Sequence, residues 1–292
     1  MKVTYYPGCT LKANARNFED SALYALEQLD IEVEELSRWN CCGTVFSLST
    51  DDLIHHMAPI RNLIRVKESG SDRVMTLCAM CYNTLKRANE RMKADPESLE
   101  KINKVMYEEE IDYEGDVEIL HLLEIIRDEI QFENLTKKVV KPLENLKVSC
   151  YYGCMLVRPR EIGLDDVENP TVLENLVSAL GGDPVDFPYK TECCGAYQTV
   201  DKPDIIAERT NQIISSAINR GAEVMVVSCP LCAFNLDHRQ KQTVQIYQDF
   251  KGLPILYFTQ LLAIALNCTE DTLKFDLHYF DPKPILKEKG LI

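Results

Sequence analysis

Ten of the twelve cysteines in this 292-residue chain fall into two series of the same form, which constrains the fold more than any other feature. The first series is Cys9, Cys41, Cys42, Cys78 and Cys81; the second is Cys154, Cys193, Cys194, Cys229 and Cys232. Position by position, the second lies 145, 152, 152, 151 and 151 residues after the first, the mark of an internal duplication. The flanks repeat too. Tyr5-Tyr6-Pro7-Gly8-Cys9 returns as Tyr151-Tyr152-Gly153-Cys154, and Asn40-Cys41-Cys42-Gly43 as Glu192-Cys193-Cys194-Gly195. Even the cysteine-free run from Glu118 has a counterpart starting at Pro254. Two similar tandem domains are expected, 1–143 and 144–292, meeting near Lys141-Pro142.

Within each half, short β-branched runs alternate with helical patterns. Residues 3–6, 31–33, 73–77 and 117–120 read as strands, as do 147–149, 184–186, 223–227 and 254–256. Residues 19–29, 51–67 and 81–91 read as helices; Ala22, Leu23, Leu26 and Leu29 form an apolar stripe, and Ser49 or Thr50 is a cap for the second helix. Strands alternating with helices predict an α/β fold, each domain a small parallel sheet with flanking helices. Loops at the carboxyl ends of such strands converge on one edge, so five distant cysteines are expected to gather into one pocket per domain. Residues 92–114 read as a charged helical insertion, and 275–292 as a packed or docking tail.

Thirty-two basic against forty-six acidic residues give a formal net charge of −14, which argues against nucleic acid or an anionic membrane as partner. The start of the chain has no cationic region followed by an apolar run, so a cytoplasmic, reducing location is expected. The longest apolar stretch, 253–268, is interrupted by Pro254, Thr259 and Gln260 and falls short of the roughly 20 residues that span a bilayer. No direct membrane insertion is expected. No glycine-rich phosphate fingerprint is present either, so bound flavin or nicotinamide is not expected.

Twelve thiols in a reducing compartment point to metal ligands or redox groups. Thiolates suit zinc, copper(I) and iron–sulfur centres, and a Cys-x-x-Cys pair alone does not choose among them. The adjacent cysteines discriminate better, because neighbouring side chains on an extended stretch point apart and so suit a multi-metal cluster. A structural zinc takes four ligands, and each half offers five. A structural zinc docking module and free or paired thiols remain as alternatives. Gly43 and Gly195 fit tight turns that bring backbone N–H groups to sulfur.

The pattern Cys-x31-Cys-Cys-Gly-x34-Cys-x2-Cys, repeated as Cys-x38-Cys-Cys-Gly-x33-Cys-x2-Cys, resembles the tandem cysteine-rich "CCG" domain family over nearly the whole chain. That family includes the catalytic B subunit of the heterodisulfide reductase of methanogens, and iron–sulfur subunits of glycolate, lactate and anaerobic glycerol-3-phosphate oxidation systems. Relatives of the second kind often carry fused ferredoxin-type motifs. Their absence here, with the length and the start of the chain, makes it more similar to the stand-alone catalytic subunit of the reductase.

The resemblance implies two noncubane [4Fe–4S] clusters, held by the two five-cysteine series in turn. It implies an oxidoreductase that splits the coenzyme M–coenzyme B disulfide between them in methanogenesis. Partners would be the ferredoxin-like subunit and the flavoprotein subunit of the same complex, with a hydrogenase. The alternative within the family is a subunit that passes electrons from lactate, glycolate or glycerol-3-phosphate toward quinone. A disulfide takes two electrons and clusters deliver them singly, which makes sense of the duplication.

The implied substrate is a polyanion, for which Lys12, Arg16, Arg158, Arg160 and Lys190 are the candidate cations. Cys150 and Cys268 have no partner in the first half and are expected to be buried non-ligands. His55 and His56 are expected on different faces; His121, His238 and His278 are isolated, with proton delivery a minor expectation. Tyr6, Tyr152 and Tyr197 are expected mainly as packing groups, and Trp39 as a shield beside the first Cys-Cys turn.

Overall fold

The computed structural model describes residues 1–44 and 52–292. Two four-stranded parallel sheets follow one another. The first contains β1 (Lys2–Tyr5), β2 (Glu32–Glu35), β3 (Arg73–Thr76) and β4 (Glu118–His121), in the order β2-β1-β3-β4. The second repeats it with β5 (Lys147–Tyr151), β6 (Asp183–Val185), β7 (Val224–Val227) and β8 (Ile255–Tyr257), in the order β6-β5-β7-β8. Every pairing is parallel, for example Val74 with Ile119 and Met225 with Ile255. The α/β duplication expected from the cysteines is therefore the architecture of the molecule.

Burial explains the strand sequences. All four residues of β7, Val-Met-Val-Val, are buried, as a central parallel strand covered on both faces requires. The edge strands differ. β2 is Glu-Val-Glu-Glu and β6 carries Pro184, charge and proline that discourage further pairing at an open edge. Helices Arg16–Gln28 and Met57–Glu68 form the first two crossovers. The second starts with a 3₁₀ turn at Leu53–His56; the expected cap at Ser49 or Thr50 lies outside the described residues. The charged insertion is the end of helix Ala79–Ala94 followed by helix Pro96–Val105, which Asp95 caps by accepting the Ser98 N–H at 3.1 Å.

The halves share one apolar core. Phe18 stacks on Tyr257 with ring centroids 4.1 Å apart, and Ser21 Oγ lies 2.7 Å from Thr259 Oγ1, so helix Arg16–Gln28 is seated on helix Phe258–Ala265. On the other side of the seam, Asn83 Nδ2 donates to Met155 O and Arg158 O at 2.8 and 2.7 Å, and Tyr82 Oη donates to Ile162 O at 3.2 Å. The chain end is packed. Asp237 accepts the Tyr279 and Phe280 N–H groups, and buried His278 has Nε2 at 3.0 Å from Asn17 Nδ2 and 2.9 Å from Gln260 Nε2. Two amide donors at Nε2 leave the proton of that ring on Nδ1. Among the described residues no helix is long and apolar enough to cross a membrane.

Candidate metal centres

In a sheet ordered 2-1-3-4 the chain reverses its winding direction between β1 and β3, which opens a crevice at their carboxyl ends. Cys9 follows β1, and Cys78 and Cys81 follow β3; Cys41 and Cys42 come from the loop after β2. The second half does the same with Cys154 after β5, Cys229 and Cys232 after β7, and Cys193 and Cys194 after β6.

The sulfurs meet in matching pairs. Cys9 Sγ lies 3.7 Å from Cys41 Sγ, and Cys42 Sγ 3.6 Å from Cys81 Sγ. Their counterparts are Cys154 to Cys193 at 3.9 Å and Cys194 to Cys232 at 3.6 Å. The consecutive cysteines do not point apart as an extended stretch would have them: the Cys41 and Cys42 thiols, and those of Cys193 and Cys194, also hydrogen-bond each other, so each series is a continuous chain of sulfurs. Among the described residues no three His, Cys, Asp or Glu side chains close to the geometry of a single metal ion.

Two glycines make room for the sulfurs. Gly8 has φ +73°, and a Cβ there would lie 2.9 Å from Cys81 Sγ; Gly153 has φ +65°, and its Cβ would lie 3.1 Å from Cys232 Sγ. The repeated Gly-Cys dipeptide carries this signal in the sequence, beside the turn glycines that follow the Cys-Cys pairs. Gly195 does bring its N–H to Cys193 Sγ, at 3.3 Å. The thiols of Cys154 and Cys194 and the N–H groups of Gly195 and Ala196 pull the Cys193 pKa down to about 2. Further donors stand at one repeated position that neither half reveals by itself. Thr84 and Asn235 each lie three residues after the last cysteine of their series; Thr84 hydrogen-bonds Cys42, and Asn235 Nδ2 lies 3.7 Å from Cys194 Sγ. Superposing the two series exposes this position.

The two pockets touch. The Cys78 and Cys229 thiols hydrogen-bond across the seam, which raises the Cys78 pKa; hydrogen bonds from Cys232 first and Cys78 second lower that of Cys229, and Ala79 N–H donates to Ser228 O at 3.1 Å. Beside this contact a cleft of about 560 Å³ runs between the loop after Cys9 and the helix after Cys229. Its walls include Thr10, Asn14, Asn17, Asp237, His238 and His278. Buried Asn17 Oδ1 has no hydrogen-bond partner there.

The candidate cations are scattered. Lys12 pairs with Glu19 and Glu35 at 2.7 and 2.6 Å, and Arg16 donates to Lys12 O; neither lines the cleft. Lys190 is 8% exposed, its ammonium held by Pro170 O and by Glu174 and Asp186, which gives it a loop-fixing role. Arg158 and Arg160 lie together on the opposite side of the seam. Cys150 is buried in β5, but Cys268 is only partly buried, and desolvation raises its pKa to about 11. His121 is fully enclosed; its Nε2 is 2.7 Å from Leu77 O, and burial lowers its pKa to about 3. Tyr6 and Tyr152 are core groups, whereas Tyr197 is 40% exposed and lines the second cysteine pocket. Trp39 sits edge-on to Tyr6 and donates to Glu35.

Comparison with known proteins agrees with this architecture. A family model described as "Cysteine-rich domain", CCG, matches twice, over residues 3–86 and 148–237. The chain is 32% identical to the 8-methylmenaquinol:fumarate reductase membrane anchor subunit of Wolinella succinogenes, covering 90% of this chain and 91% of that protein. It is 29% identical to the B subunit of the ferredoxin/F(420)H(2)-dependent CoB-CoM heterodisulfide reductase of Methanosarcina acetivorans, covering 93% and 91%. A hypothetical protein from Helicobacter pylori shares the fold, with a TM-score of 0.77 at 14% identity; the match covers 95% of this chain and 51% of that one. With the family pattern present twice and the cysteines gathered as that repetition requires, the chain belongs to the CCG cysteine-rich domain family as a tandem pair.

Proposed function

We propose that this chain is an iron–sulfur redox subunit, and that its reaction is the reduction of the coenzyme M–coenzyme B disulfide to two thiols. Cys9, Cys41, Cys42, Cys78 and Cys81 would hold one noncubane [4Fe–4S] cluster, and Cys154, Cys193, Cys194, Cys229 and Cys232 the other. The donor set fits: five thiols per pocket, N–H and amide donors aimed at sulfur, and glycines where a Cβ would collide with it. Five thiols in each series exceed the four ligands of a structural zinc, which favours a polynuclear centre.

The observation that carries the disulfide reading is the contact of Cys78 with Cys229, which sets the two pockets back to back beside an open cleft. The reaction consumes two electrons and two protons for each S–S bond broken, and yields two S–H bonds. Bound clusters would supply those electrons one at a time. The shared core would hold the two centres at a fixed separation, and Met155, Met80 and Tyr197 line the second pocket with largely apolar surface. Electrons would arrive from a ferredoxin-like and a flavoprotein partner within a larger complex in the cytoplasm.

The likeness to the fumarate reductase protein favours a second reading, in which the pair passes electrons between quinol and a partner enzyme. Anaerobic holoprotein mixed with the heterodisulfide, and separately with a reduced menaquinone analogue, separates them. The first reading expects thiol release and altered cluster spectra with the disulfide alone. Spectra that respond only to quinol would replace it with the second.

A further inference from the structure

The duplication sets a second cleft on the opposite side of the seam, built from the same elements but with different chemistry. Carrying the cysteine register across, Ala13 and Ala15 of the first cleft correspond to Arg158 and Arg160, and His238 corresponds to Arg87. Those three arginines line a space of about 440 Å³ with Met155 and Pro159. It continues past Arg87 and Pro159 into a space of about 340 Å³ bordered by Arg91, His56 and Glu161. The first cleft presents Asp237, Asp276 and two histidines. Among the described residues, the second presents four arginines, His56 and Glu161, in a chain whose net charge is −14.

Arg158 and Arg91 are held in place. Arg158 donates one guanidinium nitrogen to Thr191 O at 2.7 Å, two residues before Cys193, and the other lies 3.5 Å from exposed Glu168. Arg91 contacts His56 Nε2 at 3.2 Å. Met155 lines both this cleft and the second cysteine pocket, so the two spaces share a wall. Guanidinium forks placed around a concave surface match the geometry of oxyanions, which they bind through paired N–H donors.

We infer that the arginine cleft is a binding site for an oxyanion of the phosphate class, seating the charged end of an unsymmetrical ligand whose other end reaches the second cysteine pocket. The direction of the ligand rests on the redox reading above; the affinity for the anion does not. The Asp- and His-lined cleft then takes no part in binding that end, so the two halves recognise unlike portions of one molecule.

Calorimetric titration of the anaerobic holoprotein with inorganic pyrophosphate tests this, with acetate as a weakly charged comparator. Saturable binding of about one equivalent is expected, weakened about tenfold or more in Arg87→Gln and in Arg160→Gln, by the usual strength of charge-assisted hydrogen bonds. Lys104→Gln, which removes an exposed charge outside both clefts, is expected to bind like wild type. Arg87→Lys, which keeps charge but loses the fork, is expected to fall between, and circular dichroism of each variant checks the fold. Absent saturation in wild type, or equal affinity in the folded arginine variants, overturns the site. Because calorimetry needs no turnover, pyrophosphate binding that depends on the arginines while the disulfide remains inert would keep this site and remove only the redox reading.

Discussion

Cys78 and Cys229, 151 residues apart in the chain, hydrogen-bond through their thiols at the seam between the two sheets. They occupy the same place in the two repeats, directly after β3 and β7. Each is also joined to its own Cys-x-x-Cys partner. One cysteine from each proposed centre therefore touches a cysteine of the other.

If each series serves its own centre, losses should be separable. Cys42→Ala is predicted to remove about four of about eight irons and leave the second set, and Cys194→Ala to do the reverse. Iron analysis with electron paramagnetic resonance on each variant checks this. Loss of all iron from either single variant would show one joint centre instead.

The glycines before Cys9 and Cys154 should resist substitution. Gly153→Ala forces an L residue into left-handed backbone, at about 1 to 2 kcal/mol, and sets its Cβ 3.1 Å from Cys232 Sγ. Reduced iron content together with a lower melting temperature is expected. Gly70, with φ +80°, is also left-handed but has open space around the Cβ, so Gly70→Ala is expected to lower the melting temperature while keeping full iron.

The shared core predicts one unfolding transition. Phe18→Ala removes the stack on Tyr257 and should cost about 3 to 5 kcal/mol, with both halves lost together. Denaturant titration followed by tryptophan fluorescence, through Trp39 in the first half, and by circular dichroism, which sees both halves, is the check. Two separated transitions would mean that the halves fold independently.

Much of this was legible in the sequence. The period of the cysteines revealed the repeat, and short apolar runs such as Val-Met-Val-Val at 224–227 marked buried strands because parallel strands are covered on both faces. Contacts between the halves left no local trace. Nothing near Lys190 distinguishes a buried ammonium from a surface one until Glu174 folds over it, and the meeting of Arg87 with Arg158 exists only once the seam closes. The tail behaves likewise, since His278 is buried by Asn17 and Gln260, far from it in sequence.

Burial of His278 predicts acid sensitivity. Desolvation lowers its pKa from an ordinary 6.5 to about 4. The unfolded ring therefore binds a proton in that window while the folded ring does not, and stability is lost as pH falls from about 6.5 toward 4. The slope is about 1.4 kcal/mol per pH unit from this group, and buried His121 adds a similar contribution. His278→Gln should be less stable at neutral pH and lose that share of the slope in urea unfolding at graded pH. An unchanged slope would show that the ring is charged in the folded protein.

The most direct test of two iron–sulfur centres is a count of iron and acid-labile sulfide in wild-type protein purified without oxygen. Two clusters predict about eight of each per chain and no stoichiometric zinc. Zinc without sulfide, or iron that persists after the ten cysteines of the two series are replaced, would contradict them.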